Sequence, residues 1–85
     1  MIKWDELITE GERELHALSE IERAALARLE ALQRAARSFG GRLPPTLSRR
    51  LRAAEEAYAA AVDDRECQFG TVGATILAKY EQRRN

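Results

Sequence analysis

The segment Ser38-Phe-Gly-Gly-Arg-Leu-Pro-Pro, residues 38–45, constrains this chain more than any other stretch. Gly40 or Gly41 can adopt the left-handed conformation that closes a helix, and Pro44 and Pro45 stop a helix from running on through them. Pro45 or Thr46 then opens a new helix. Long runs of helical periodicity lie on both sides, and a short connection between two such runs implies an antiparallel hairpin.

The run before the break reads as one helix from Trp4 to Phe39. Its seam is Trp4, Ile8, Gly11, Leu15, Leu18, Glu22, Ala25, Leu29, Leu32, Ala36 and Phe39, with alternating steps of three and four. That spacing belongs to a helix packed along a neighbouring helix. Ile21 and Leu26 flank the seam and widen it. Gly11 interrupts it at a cost of about 1 kcal/mol relative to Ala. Thr9 and Glu12 form a capping box there, so the helix starts at Thr9 or runs through from Asp5; a continuous helix is the expectation. Glu22 is a second interruption, expected to turn its carboxylate out to solvent.

After the break, a second helix carries Leu47, Leu51, Ala54, Tyr58, Ala61 or Val62, and Phe69 on its apolar face. Gly70 and Gly73 predict another break. A short third helix, residues 74–84, follows, with Val72, Ile76, Leu77 and Tyr80 turned inward. The predicted fold is therefore all-α, a long antiparallel helical hairpin plus a short third helix, in a single domain spanning residues 1–85. At 1.5 Å per residue the first helix is roughly 50 Å long and the second roughly 35 Å. The first helix overhangs, and the third covers part of the excess. Trp4, Leu7 and Ile8 lie at the overhanging end, which predicts self-association as a homodimer through them. A third helix folded back over Trp4 would give a compact monomer instead.

Composition excludes several classes of function. With 14 basic and 14 acidic residues the formal net charge is zero, which removes the simplest case for general nucleic-acid or membrane binding. The charge is unevenly spread: residues 1–22 hold seven acids against two bases, and residues 23–52 hold eight arginines against Glu30 alone. One cysteine cannot form an intramolecular disulfide, and Cys67 with His16 makes no zinc set. The start, MIKWDELITEGERE, has no secretory apolar region, and no apolar run approaches membrane-spanning length, so a cytoplasmic protein without membrane contact is expected.

No grouping of residues predicts catalysis. Asp63, Asp64 and Glu66 surround Cys67, and neighbouring carboxylates raise a thiol pKa instead of activating the sulfur. Cys67 reads as a packed structural thiol. His16 has Glu12 and Glu20 one turn away on either side but no nucleophile or metal partner, so it reads as a solvated surface histidine. Asp63 and Asp64 point about 100° apart on a helix and form no chelate. No enzyme, metal or cofactor is expected. Arg49, Arg50 and Arg52 stand in the first two turns of the second helix, where the helix dipole disfavours cations. With Arg42 they form a basic hairpin tip suited to a partner contact; pairing with Glu55 and Glu56 is the simpler account. No aromatic is expected between these arginines, which leaves base stacking unsupported.

Glu56 to Cys67 and the residues after it resemble the LprI-like family, small bacterial helical domains that include lysozyme inhibitors. The family pattern has a Gln, an aromatic, Arg-Asp and a Cys, then Gly-Ser or Gly-Thr, a second Cys and a late Arg. Here Glu56 stands for the Gln, Asp64 and Cys67 fit at the family spacing, Gly70-Thr71 follows, and Arg83 or Arg84 is the late Arg. Tyr58 is one residue out of register, Asp63 replaces the Arg, and the second Cys is missing. The resemblance covers about a third of the chain and implies a helical scaffold of the binding and inhibiting kind. The functional expectation is a small non-enzymatic protein-binding module, an inhibitor, adaptor or assembly subunit. The alternative is an accessory nucleic-acid-binding protein using Arg42, Arg49, Arg50 and Arg52 on phosphates.

Overall fold

The computed structural model describes residues 2–84. They form two α-helices, α1 from Trp4 to Arg37 and α2 from Pro45 to Arg84. α1 runs through Gly11 without a break. Asp5 and Glu6 in its first turn and Arg34 and Arg37 in its last complement the helix dipole. Thr9 does not cap a helix start; its hydroxyl donates to the Asp5 carbonyl one turn back.

The turn uses the break read from the sequence. The Ser38 hydroxyl donates to the Ala35 carbonyl at 2.7 Å, closing the end of α1. Gly40 takes φ +76°, a value that favours a residue without a Cβ. Pro45 occupies the first position of α2, where its missing N–H leaves no bond unmade. The Ser48 amide then donates to the Pro44 carbonyl at 3.0 Å.

The helices run in opposite directions along each other. The Trp4 indole N–H donates to the Gln82 side chain, and Lys79 bonds Asp5. Further along, Gln68 Nε2 donates to the Gly11 carbonyl at 3.2 Å and Arg65 Nε donates to Glu22 at 2.6 Å. The resulting molecule is a rod of 64 × 15 × 15 Å.

No separate third helix is present among the described residues. α2 has 40 residues and passes through Gly70 and Gly73 in helical conformation. Each glycine costs about 1 kcal/mol of propensity, but neither forbids a helix. Packing of the seam on both sides, with Val72 buried against α1, carries the chain through. The overhang goes with it, because α2 outlasts the 34 residues of α1 and reaches back to Trp4.

The seam of α1 lies where its periodicity placed it, with Leu29 buried and Trp4, Ile8, Leu15, Leu18, Ala25, Leu32 and Ala36 half-buried. Phe39 departs from it, lying past the helix end in the turn and exposed, and Ile21, expected to widen the seam, is 57% exposed. Glu22 does not escape to solvent, since Arg65 meets it across the interface. On α2 the seam is Leu47, Leu51, Ala54, Tyr58, Ala61, Arg65, Gln68, Val72, Thr75 and Lys79, all buried or half-buried at alternating steps of four and three. The core proper is thin: Leu29, Ala54, Ala61 and Val72 are the buried apolar residues.

Candidate interaction surface

The second half of α2 separates its two faces in an unusual way. The register set by Leu47, Leu51, Ala54, Tyr58 and Ala61 continues through Arg65, Gln68, Thr75 and Lys79, so polar side chains meet α1 there. Each of three long polar groups finds a partner. Arg65 takes Glu22, Gln68 takes the Gly11 carbonyl, and Lys79 takes Asp5. The hydrogen bond with Glu22, then its charge, raises the Arg65 pKa, and the hydrogen bond from Lys79, then its charge, holds Asp5 below the ordinary carboxylate value.

Because polar residues take the seam, the apolar ones are turned away from it. Val62, Phe69, Gly73, Ile76, Leu77 and Tyr80 fall within an arc of about 100°, roughly a quarter-turn from the seam. Phe69 is 66% exposed, Leu77 64% and Tyr80 60%. The inward placement expected for Phe69, Leu77 and Tyr80 is therefore wrong, and Ile76 is only half-buried at the edge of the stripe. Rotating α2 to bury these residues would separate Arg65 from Glu22 and Lys79 from Asp5.

Nothing matches this chain among family models, curated proteins or solved structures.

The residues singled out for self-association are divided by the structure. Trp4 and Ile8 are half-buried against α2, while Leu7 stays 48% exposed. Trp4 borders an open groove of ≈ 450 Å³ with Ile2, Lys3, Asp5, Lys79 and Gln82. Within that groove Lys79 bonds Asp5 and Gln82 bonds Trp4, and Glu6 and Arg83 complete its lining.

Arg42, Arg49, Arg50 and Arg52 are all exposed at the turn end of the rod, together with Arg34 and Arg37. None of the six enters an ion pair among the described residues, and α2 has no acidic residue in its first turn. The anticipated pairing with Glu55 and Glu56 is therefore not formed. Phe39 and Leu43 are exposed in the same turn, at 52% and 37%. Phe39, expected in the seam of α1, is instead an exposed aromatic in the turn that precedes Arg42.

Cys67 is exposed, not packed, and His16 is exposed as read. No group of three or more His, Cys, Asp or Glu among the described residues is placed to hold a metal ion. No helix among them is long and apolar enough to cross a membrane. Of the late arginines in the LprI-like pattern, Arg83 is exposed and the side chain of Arg84 lies outside the described residues.

Reading Gly70 and Gly73 as a break releases Ile76, Leu77 and Tyr80 from the register of the preceding helix and hides the stripe. Extending the four-three steps from Leu47 through Val72 to Lys79 would have found it.

Proposed function

We propose that this chain is a non-enzymatic protein-binding module, with the outward stripe of α2 as its docking face. One observation carries the reading: Phe69, Leu77 and Tyr80 are more than half exposed on a helix whose seam is already occupied. Apolar side chains clustered this way on a small domain mark an interaction surface. Aromatic anchors such as Phe69 and Tyr80 are the side chains that dominate interface energetics. The resemblance to LprI-like domains adds a scaffold of the same binding kind.

Photo-crosslinking in cells of the native host tests this. A photoreactive residue at position 77 should yield adducts of defined mass, while the same residue at exposed position 24 on the back of α1 should not. Absence of any adduct at 77 would remove the reading.

A second reading is favoured by the turn. Six exposed arginines, none of them in an ion pair among the described residues, share the turn end of the rod with an exposed Phe39, and the two residue types supply the phosphate-neutralising and base-stacking groups that single-stranded nucleic acid requires. On that reading RNA affinity falls steeply with salt, and Arg49→Ala with Arg50→Ala, or Phe39→Ala, weakens it further. Equal affinity for all variants would dismiss it.

A further inference from the structure

We propose that the occupant of the stripe is a second copy of this chain, with two α2 helices packed antiparallel and closest at Gly73. This rests on the reading of the stripe as a protein-docking face and names its partner.

The first argument is area. The chain exposes 6782 Å², whereas a folded monomer of 9.6 kDa is expected to expose about 5,100 Å² by the size scaling of compact proteins. The excess of about 1,700 Å² per chain comes from the 15 Å-thick rod shape, and it exceeds the roughly 800 Å² per partner of a standard interface. Two rods laid side by side form a four-helix bundle, the compact solution for helices of this kind. The thin core points the same way, since Leu29, Ala54, Ala61 and Val72 are the buried apolar residues among those described.

The second argument is the glycines. Gly11 has a use inside the chain: a Cβ there would lie 2.9 Å from Val72 Cγ2. Gly70 and Gly73 have none, because a Cβ at either would meet nothing within 4 Å. Glycine in a helix interior is unfavourable, and the missing side chain leaves room for another backbone to approach closely. Gly73 stands in the middle of the apolar stripe.

The third argument is symmetry. A two-fold axis at Gly73 sets Phe69 opposite Leu77 of the second copy and Ile76 opposite Gly70 of the second copy. Glu66, the charged residue within the arc, falls opposite Tyr80 of the second copy, whose hydroxyl can donate to it. One patch thus complements itself, as a closed isologous dimer demands.

The test is the mass of the purified full chain by sedimentation equilibrium, at concentrations up to about 100 µM because dimer populations follow mass action. A mass twice 9.6 kDa is expected. Leu77→Glu and Gly73→Gln should each return it to the monomer mass, and Ala24→Glu should not. Gln is a better helix former than Gly, so Gly73→Gln must keep or raise helicity by circular dichroism, which separates a lost interface from lost folding. Gly73→Cys in a Cys67→Ser background should oxidise to a disulfide-linked dimer. A monomeric parent chain, or a dimer indifferent to both stripe substitutions, overturns the proposal. A monomeric chain that crosslinks from position 77 to a different protein overturns this inference and leaves the protein-binding reading intact.

Discussion

Replacing Gly11 by Ala should destabilise this protein, although the same change in an open helix would stabilise it. Ala gains about 1 kcal/mol of helix propensity over Gly. Against that, the new methyl would stand 2.9 Å from Val72 Cγ2, closer than carbon atoms pack. Val72 is β-branched and stiff at χ1, and it is buried at 8% exposure, so it cannot swing aside freely. Overpacking of this kind costs about 1–3 kcal/mol. Separation of the helices would also stretch the bond from Gln68 to the Gly11 carbonyl, 3.2 Å long, worth about 0.5–1.5 kcal/mol. The net effect of these terms is a loss of about 0.5–3.5 kcal/mol, and each kcal/mol lowers the melting temperature by roughly 4–8 °C in a domain of this size. Gly70→Ala, with nothing within 4 Å, supplies the opposite sign, a gain of about 1 kcal/mol. Both are best measured by thermal circular dichroism in a Leu77→Glu background, so that association does not move the midpoint. Adding Val72→Ala to Gly11→Ala should recover about 1 kcal/mol relative to additivity. If Gly11→Ala raised the midpoint as Gly70→Ala does, or if the double variant were additive, the close approach of α1 and α2 at this point would be wrong.

Leu29→Ala should cost about 2–5 kcal/mol, since Leu29 is the buried residue of the α1 seam; chemical denaturation with an unchanged midpoint would count against the packing described. Removing one partner of the pair Glu22 and Arg65 should destabilise more than replacing both by leucine, because a single change strands a charge inside the interface; a double-mutant cycle reads the difference. Lys79 holds the Asp5 carboxyl below its ordinary 3.8, so the folded form releases the proton more readily than the unfolded one. Its stabilising contribution is complete above that pH and is lost as pH falls beneath it, so Asp5→Asn should flatten the acid limb of stability against pH and leave the neutral region nearly unchanged.

Local rules made the first helix and the turn legible. Periodicity from Trp4 to Ala36 located a seam that tertiary packing had no reason to override, and Gly40 with Pro45 left the turn little choice. The second half of α2 resisted the same reasoning for a physical cause. Apolar side chains are assigned inward by default, yet here Arg65 and Lys79 gain partners on α1 that Phe69 and Leu77 would forfeit for them. Glycine pairs also read as breaks in a single helix, but a neighbour that holds Val72 on one face keeps Gly70 and Gly73 helical. The basic tip was visible as a cluster of arginines, while the exposure of Phe39 beside it depended on where α1 stops.

The central claim is that Val72, and not the apolar stripe beside it, faces Gly11. Disulfide trapping reads this directly. In a Cys67→Ser background, Gly11→Cys with Val72→Cys places two thiols where a Cβ and a side-chain methyl now approach to 2.9 Å, inside the reach of a disulfide. That pair should oxidise in air to an intramolecular bond, while Gly11→Cys paired with Phe69→Cys or with Leu77→Cys should remain reduced. Ready closure of either stripe pair, with the 72 pair left open, would mean that α2 turns its apolar face to α1 and that the exposed docking surface does not exist.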